Sequence, residues 1–143
     1  MYLTALDTAL RLVLAAVLGG VLGMEREKQK RSAGLRTHIL VCLGSTLIML
    51  VSIYVFQIFT KGETADPSRI AASVVTGIGF LGAGAIIRSR ENVIGLTTAA
   101  SIWVSAGIGL AVGCGFYIGA FMATLIAFLT LGILKNVENS RSK

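Results

Sequence analysis

Glu25-Arg26-Glu27 and, nine residues further on, Arg36-Thr37-His38 bring carboxylates, guanidinium groups and the chain's one histidine into a short stretch. Charges at this spacing can form a network at a surface, or receive a partner protein or a lipid headgroup; solvated surface charge is the competing reading. His38 and Cys42 lie four apart and share a helix face, the minimal spacing of a metal-ligand pair. Two ligands do not make a zinc site, and with no second histidine and Cys114 predicted near the opposite surface, no metal or other cofactor is expected. The same separation argues against a disulfide, so both cysteines read as small buried apolar residues. Asp7 and Arg11 are also four apart, acid before base, which favours an ion pair. An arginine within an apolar span is a functional candidate, but one this near the end of the span can also snorkel or neutralise Asp7.

Gly77-Ile78-Gly79-Phe80-Leu81-Gly82 satisfies the dinucleotide fingerprint G-x-G-x-x-G. The chemistry needs a strand before it and an acidic residue some twenty positions later, and neither is present, so the glycines read as helix packing. There is likewise no P-loop, HExxH or GxSxG, and the chain is not expected to be an enzyme. Asn92 stands before a predicted helix start, as a cap or as a functional residue.

The elements that must position these residues are membrane helices. Ile70 to Ile87 is eighteen residues without a charge, enough to cross roughly 27 Å at the helical rise. Asp66-Pro67-Ser68 opens it with a cap and a first-turn proline. Four more spans fit: Leu6 to Met24, Ile39 to Phe59, Leu96 to Val112 and Phe116 to Leu134, the last two joined by a tight turn at Gly113-Cys114-Gly115. The expected fold is an all-α, polytopic bundle of about five transmembrane helices over 1–134, followed by a short polar tail over 135–143. The leader before the first span lacks Lys and Arg, and no small-residue cleavage site follows the span, so it is expected to stay attached. Apolar residues make up 55% of the chain and charged residues 14%, too few charges for an average soluble domain. The net charge of +6 lacks the aromatic interleaving of a nucleic-acid surface, and no nucleic acid is expected as a partner.

The basic excess instead marks orientation. The connections at Glu25 to Arg36, Arg88 to Gly95 and the C-terminal tail hold ten Lys and Arg, against Lys61 and Arg69 on the other side. The positive-inside rule then places the N-terminus outside and the C-terminus in the cytoplasm. Gly34-Leu35-Arg36-Thr37 and Gly95-Leu96-Thr97-Thr98, sixty-one residues apart, each open an outbound helix after a glycine-rich inbound one, which suggests a parallel repeat. Gly77, Gly79, Gly82 and Gly84 on the third span, and Ser101, Ser105, Gly109 and Gly113 on the fourth, are expected at close helix contacts.

The motifs G-M-E-R-E at Gly23–Glu27, A-G-L-R-T-H at Ala33–His38, G-I-G-F-L-G-A-G at Gly77–Gly84, the loop with Asn92, and G-L-T-T-A-A at Gly95–Ala100 together resemble the membrane domain of the bacterial MgtC/SapB family. Longer members add a soluble C-terminal domain. The resemblance implies a multi-pass inner-membrane protein that serves adaptation to magnesium limitation and, in pathogens, virulence and stress within host phagocytes. It also implies association with other membrane machinery, such as the ATP synthase or a transporter. It singles out Arg11, Glu25, Arg26, Glu27, Arg36, Thr37, His38 and Asn92 as candidate functional residues. No Asp or Glu lies deep in a span, which counts against a magnesium path within one subunit but leaves an oligomeric transporter or channel as the alternative.

Overall fold

In the computed structural model residues 3–59, 66, 68–88 and 92–141 are described, except for the side chains of 59 and 134–141. Lys61, Pro67, Arg90 and Lys143 lie outside the described residues, as do the side chains of Lys135 and Arg141. Five helices follow one another: α1 (Ala5–Lys28), α2 (Leu35–Phe59), α3 (Ser68–Gly84), α4 (Leu96–Cys114) and α5 (Tyr117–Arg141). A two-stranded antiparallel ribbon, β1 (Ile87–Arg88) and β2 (Val93–Ile94), joins α3 to α4. α1, α2 and α4 are long and apolar enough to cross a bilayer, and α3 and residues Tyr117–Ile133 of α5 are shorter apolar helices. The chain is an all-α membrane protein.

The helix directions follow from a few contacts. Thr46 Oγ1 donates to Gly109 O at 2.7 Å, and His38 Nε2 meets Ser101 Oγ at 3.1 Å, each pair sixty-three residues apart. A constant offset at two levels means that α2 and α4 run parallel. Arg11 of α1 lies 5.8 Å from the ring centre of Tyr117, the first residue of α5, and Gln29 at the end of α1 donates to Leu131 O further along α5, so α1 runs parallel to α5. Gly19 of α1 faces His38 and Cys42, whereas the later Gly23 faces the earlier Leu35, so α1 and α2 are antiparallel. This is the up-and-down order that short connections impose on neighbouring helices.

α4 is the central helix and packs against the other four. Ala15, Leu18, Leu22, Cys42, Ile108, Val112 and Ala120 form one apolar core between α1, α2, α4 and α5. A second cluster, with Val41, Val74, Ile78, Ile102 and Ala106, seats α3. Leu10, Val13, Leu40, Trp103 and Phe121 stay exposed, as expected where lipid rather than protein covers the surface.

Close helix contact divides the small residues into two groups. Ser101, Ser105, Gly109 and Gly113 are buried along α4. A Cβ on Gly109 would lie 2.8 Å from Ser45 Cβ, and one on Gly113 would lie 2.6 Å from Met49 Cβ, so here the backbone of α4 touches α2. The glycines of α3 correct the expectation drawn from sequence. Gly77, Gly79 and Gly84 have nothing within 4 Å of a built Cβ, and Gly82 meets only Ala99 Cβ at 3.8 Å. Gly77, Gly79 and Gly84 are exposed, and Gly82 alone of the four touches α4, at ordinary contact distance. Gly77–Gly82 is nonetheless helical throughout, as the packing reading of the G-x-G-x-x-G string requires.

One boundary and one cap also differ. α3 ends at Gly84, not Ile87, because Ala85 N turns to Leu81 O and Gly82 O and Ile86 N to Ala83 O, tightening the last turn before the chain enters the ribbon. Asn92 does not cap α4. The N-cap is Gly95, in the left-handed region at φ 98°, and a Cβ there would run into the backbone of Ala85. At the far end of α4 the expected turn is present: Gly115 has φ 87° and Phe116 N donates to Ala111 O at 2.8 Å, a Schellman closure.

Candidate functional site at the helix ends

The C-terminal turn of α1, the first turns of α2 and α4 and the Leu131 level of α5 meet at one end of the bundle. Arg26 lies at the centre and is only 2% exposed. Its Nη2 donates to Thr98 Oγ1 at 3.2 Å and its Nη1 to Gln29 Oε1 at 3.5 Å, while Nε has no partner among the described residues. Both acceptors are neutral. Among the described residues the one ion pair is Arg11 with Asp7, so Arg26 is a buried cation without a carboxylate at ion-pair distance.

The neighbours of Arg26 hold the helices together. Gln29 Nε2 donates to Glu25 Oε1 at 2.8 Å and to Leu131 O at 2.7 Å, tying α1 to α5. Glu27 Oε2 accepts from Leu35 N at 2.9 Å and so satisfies an open amide at the start of α2. His38 is fully buried between Gly34 O, 2.8 Å from Nδ1, and Ser101 Oγ, 3.1 Å from Nε2. A carbonyl only accepts, so Nδ1 carries a proton; Nε2 lies against the Ser101 hydroxyl, whose one hydrogen is directed to Thr98 O at 2.8 Å. His38 thus links α2 to α4 through a polar contact.

Of the residues singled out by sequence, Glu25, Arg26, Glu27 and His38 come together here. Arg36 is exposed and Thr37 half-buried, and neither bonds to the network among the described residues. Asn92 is exposed beside β2, outside the network. Arg11 belongs to the other end of the bundle. It is 4% exposed, pairs with Asp7 through Nη2 at 2.9 Å and Nε at 3.1 Å, donates from Nη1 to Gly113 O at 2.7 Å, and lies 5.8 Å from the Tyr117 ring centre. Those partners make it the clasp between α1 and the α4–α5 turn. Gln29, Thr98 and Arg31 escaped the sequence reading, although Gln29 stands four after Glu25 and Thr98 closes the second GLxT.

A cavity of about 310 Å³ opens beside Arg26, bounded by Arg31 and residues 93–98. The described residues include no cluster of three or more His, Cys, Asp or Glu able to hold a metal ion. The arrangement can receive negative charge. A family model described as the MgtC family matches residues 12–140. The chain belongs to the MgtC family. The match takes in Glu25 through His38 and Asn92 and begins one residue after Arg11.

Named relatives agree. The chain is similar to a protein of Escherichia coli K12 named "Putative magnesium transporter YhiD", with 48% identity over 87% of this chain and 59% of the relative. Protein SapB of Bacillus subtilis is 41% identical over 90% of this chain and 56% of its own length. Protein MgtC of Salmonella typhimurium is 46% identical over 82% and 48% respectively. This MgtC-family chain therefore spans about half to three-fifths of the relatives it matches. No solved structure matches it.

Proposed function

We propose that this MgtC-family protein is a non-enzymatic, multi-pass protein of the bacterial inner membrane that acts by association with other membrane machinery under magnesium limitation. Its N-terminus lies outside and its C-terminus in the cytoplasm, which puts the Arg26 network at the cytoplasmic surface; the ten-to-two division of Lys and Arg supports this. The observation that carries the reading is where the polar groups go. Within the bundle, Arg11, Thr46, Ser105 and Thr124 each donate to a backbone carbonyl, so these groups serve helix contacts and helix backbone instead of a path for ions. Polar groups with capacity to spare gather around Arg26, where a partner can reach the neighbouring surface. The ATP synthase and transporters are the partners that the family suggests.

The printed name of the Escherichia coli relative favours a second reading, an oligomeric magnesium transporter. Purification in mild detergent followed by liposome reconstitution separates the two. A stoichiometric membrane-protein partner with no magnesium flux from the protein alone supports association. Flux from the protein alone, abolished by no partner's removal, overturns it in favour of transport.

A further inference from the structure

Two cavities of opposite chemistry meet at Thr97. The first is the 310 Å³ cavity beside Arg26 and Arg31, at the helix ends. The second, about 390 Å³, runs between α1, α4 and α5 and is walled by apolar groups such as Leu22, Ala100, Val104, Ala123 and Ile126. We propose that together they bind one anionic glycerophospholipid, its phosphate in the first cavity and part of an acyl chain in the second.

Three observations place the phosphate. α4 is nineteen residues long and begins at the cavity after its N-cap Gly95, which offers no side-chain acceptor, so its first amides have no side-chain cap among the described residues. Arg26 adjoins them as a buried cation held by two neutral groups, with its Nε–H unpartnered. Arg31 supplies a second guanidinium, and among the described residues no acidic one lines the cavity. An oxyanion there would meet a helix N-terminus and two cations at once. A zwitterionic headgroup would bring its own cation against Arg31.

The second cavity identifies the source of the phosphate. From Thr97 to Val104 its wall extends about 10 Å along α4, away from the helix ends and toward the middle of the bundle. Past Thr97, which stands where the two cavities meet, the hydroxyls on this wall are already engaged, Ser101 Oγ with Thr98 O and Thr130 Oγ1 with Ile126 O, so the deeper groove presents methyl and methylene groups. A free phosphate would fill the first cavity and leave the second empty. A phospholipid has the same order of parts as the two cavities, charge at the membrane surface and hydrocarbon beneath it.

The test uses the full chain in mild detergent with added phosphatidylglycerol, phosphatidylcholine or inorganic phosphate, read by native mass spectrometry and thermal unfolding. Phosphatidylglycerol should stay bound and raise the unfolding temperature, with phosphatidylcholine at least about fivefold weaker and inorganic phosphate without effect. Replacing buried Arg26 endangers the fold, so the variants are Arg31→Gln and Ala100→Leu, both at exposed positions. Each should lower phosphatidylglycerol retention by about fivefold or more while leaving lipid-free unfolding unchanged. Equal retention of the two lipids, a phosphate effect equal to that of phosphatidylglycerol, or full retention by both variants would overturn the site.

Discussion

The α1–α2 and α3–α4 hairpins have similar sequence plans and opposite packing. Each places a glycine-rich helix before a charged connection and a GLxT helix start. In the first, the glycines are at the contact: a Cβ on Gly19 would lie 2.6 Å from His38 O and 2.9 Å from Cys42 Cβ, and one on Gly23 would lie 2.6 Å from Leu35 Cα. In the second, Gly77, Gly79 and Gly84 of α3 meet nothing and Gly82 reaches Ala99 of α4 only at ordinary contact distance, while α4 brings its own glycines against α2 instead. The connections differ too. Glu27 closes the first by accepting from Leu35 N, whereas the left-handed Gly95 closes the second. Glycine marks where close approach is allowed; the partner decides where it occurs.

The largest expected effect comes from forcing the close contacts apart. Gly109→Leu and Gly23→Val should each destabilise the protein in detergent by about 3 kcal/mol or more, because the obstacle is backbone or Cβ rather than a flexible side-chain end. Thermal unfolding measures this, with Leu110→Ile as the volume-conserving control. Unchanged stability would mean that α1, α2 and α4 do not touch as described.

Gly95→Ala sharpens the comparison at the second connection. Positive φ costs an L-residue about 1–2 kcal/mol, and the added methyl meets Ala85, so unfolding at a clearly lower temperature than wild type is expected. Gly34→Ala, the matching position in the first hairpin, should cost less, because its nearest obstacle is the Glu27 carboxylate, which can rotate. Equal losses would erase the difference between the two connections.

Glu27→Gln keeps the acceptor and removes its charge, so a loss of about 0.5–1.5 kcal/mol is expected, measured by chemical denaturation. Smallest of all is Gly79→Ala, expected within about 0.5 kcal/mol of wild type because the position is open and alanine favours helix. A loss comparable to that of Gly23→Val would show that the α3 face is covered by a partner absent from a single chain.

How much was legible can be judged from particular residues. The turn at Gly113–Gly115 and the start of α3 at Asp66-Ser68 were readable, because turn and cap preferences act within a few residues; Asp66 Oδ1 does accept from Ser68 N at 2.8 Å. The Asp7–Arg11 pair was also readable from its spacing. The Gly113 carbonyl that completes it, 102 residues away from Arg11, was not. Nor was the separation of Arg36 from Arg26, since both stand at one connection and only the rotation of α2 about its axis sets which side chain turns inward. Of the two roles open to Asn92, the cap is excluded because the ribbon formed by β1 and β2 stands between it and Gly95, which caps α4, while the start of α4 at Leu96 was readable.

By itself, then, the sequence determined the class of molecule, the five helices, the charged connections and the family, since hydrophobic length, caps and motifs are local properties that survive any arrangement of the helices. Tertiary structure alone decided which glycines carry contacts, that α4 is the central helix, and that Arg26, Thr98 and an uncapped helix end share a cavity. The physical reason is that these membrane helices are apolar nearly all round, so hydrophobicity does not say which face meets protein and which meets lipid. That choice rests on close packing and on a few hydrogen bonds between residues far apart in the chain.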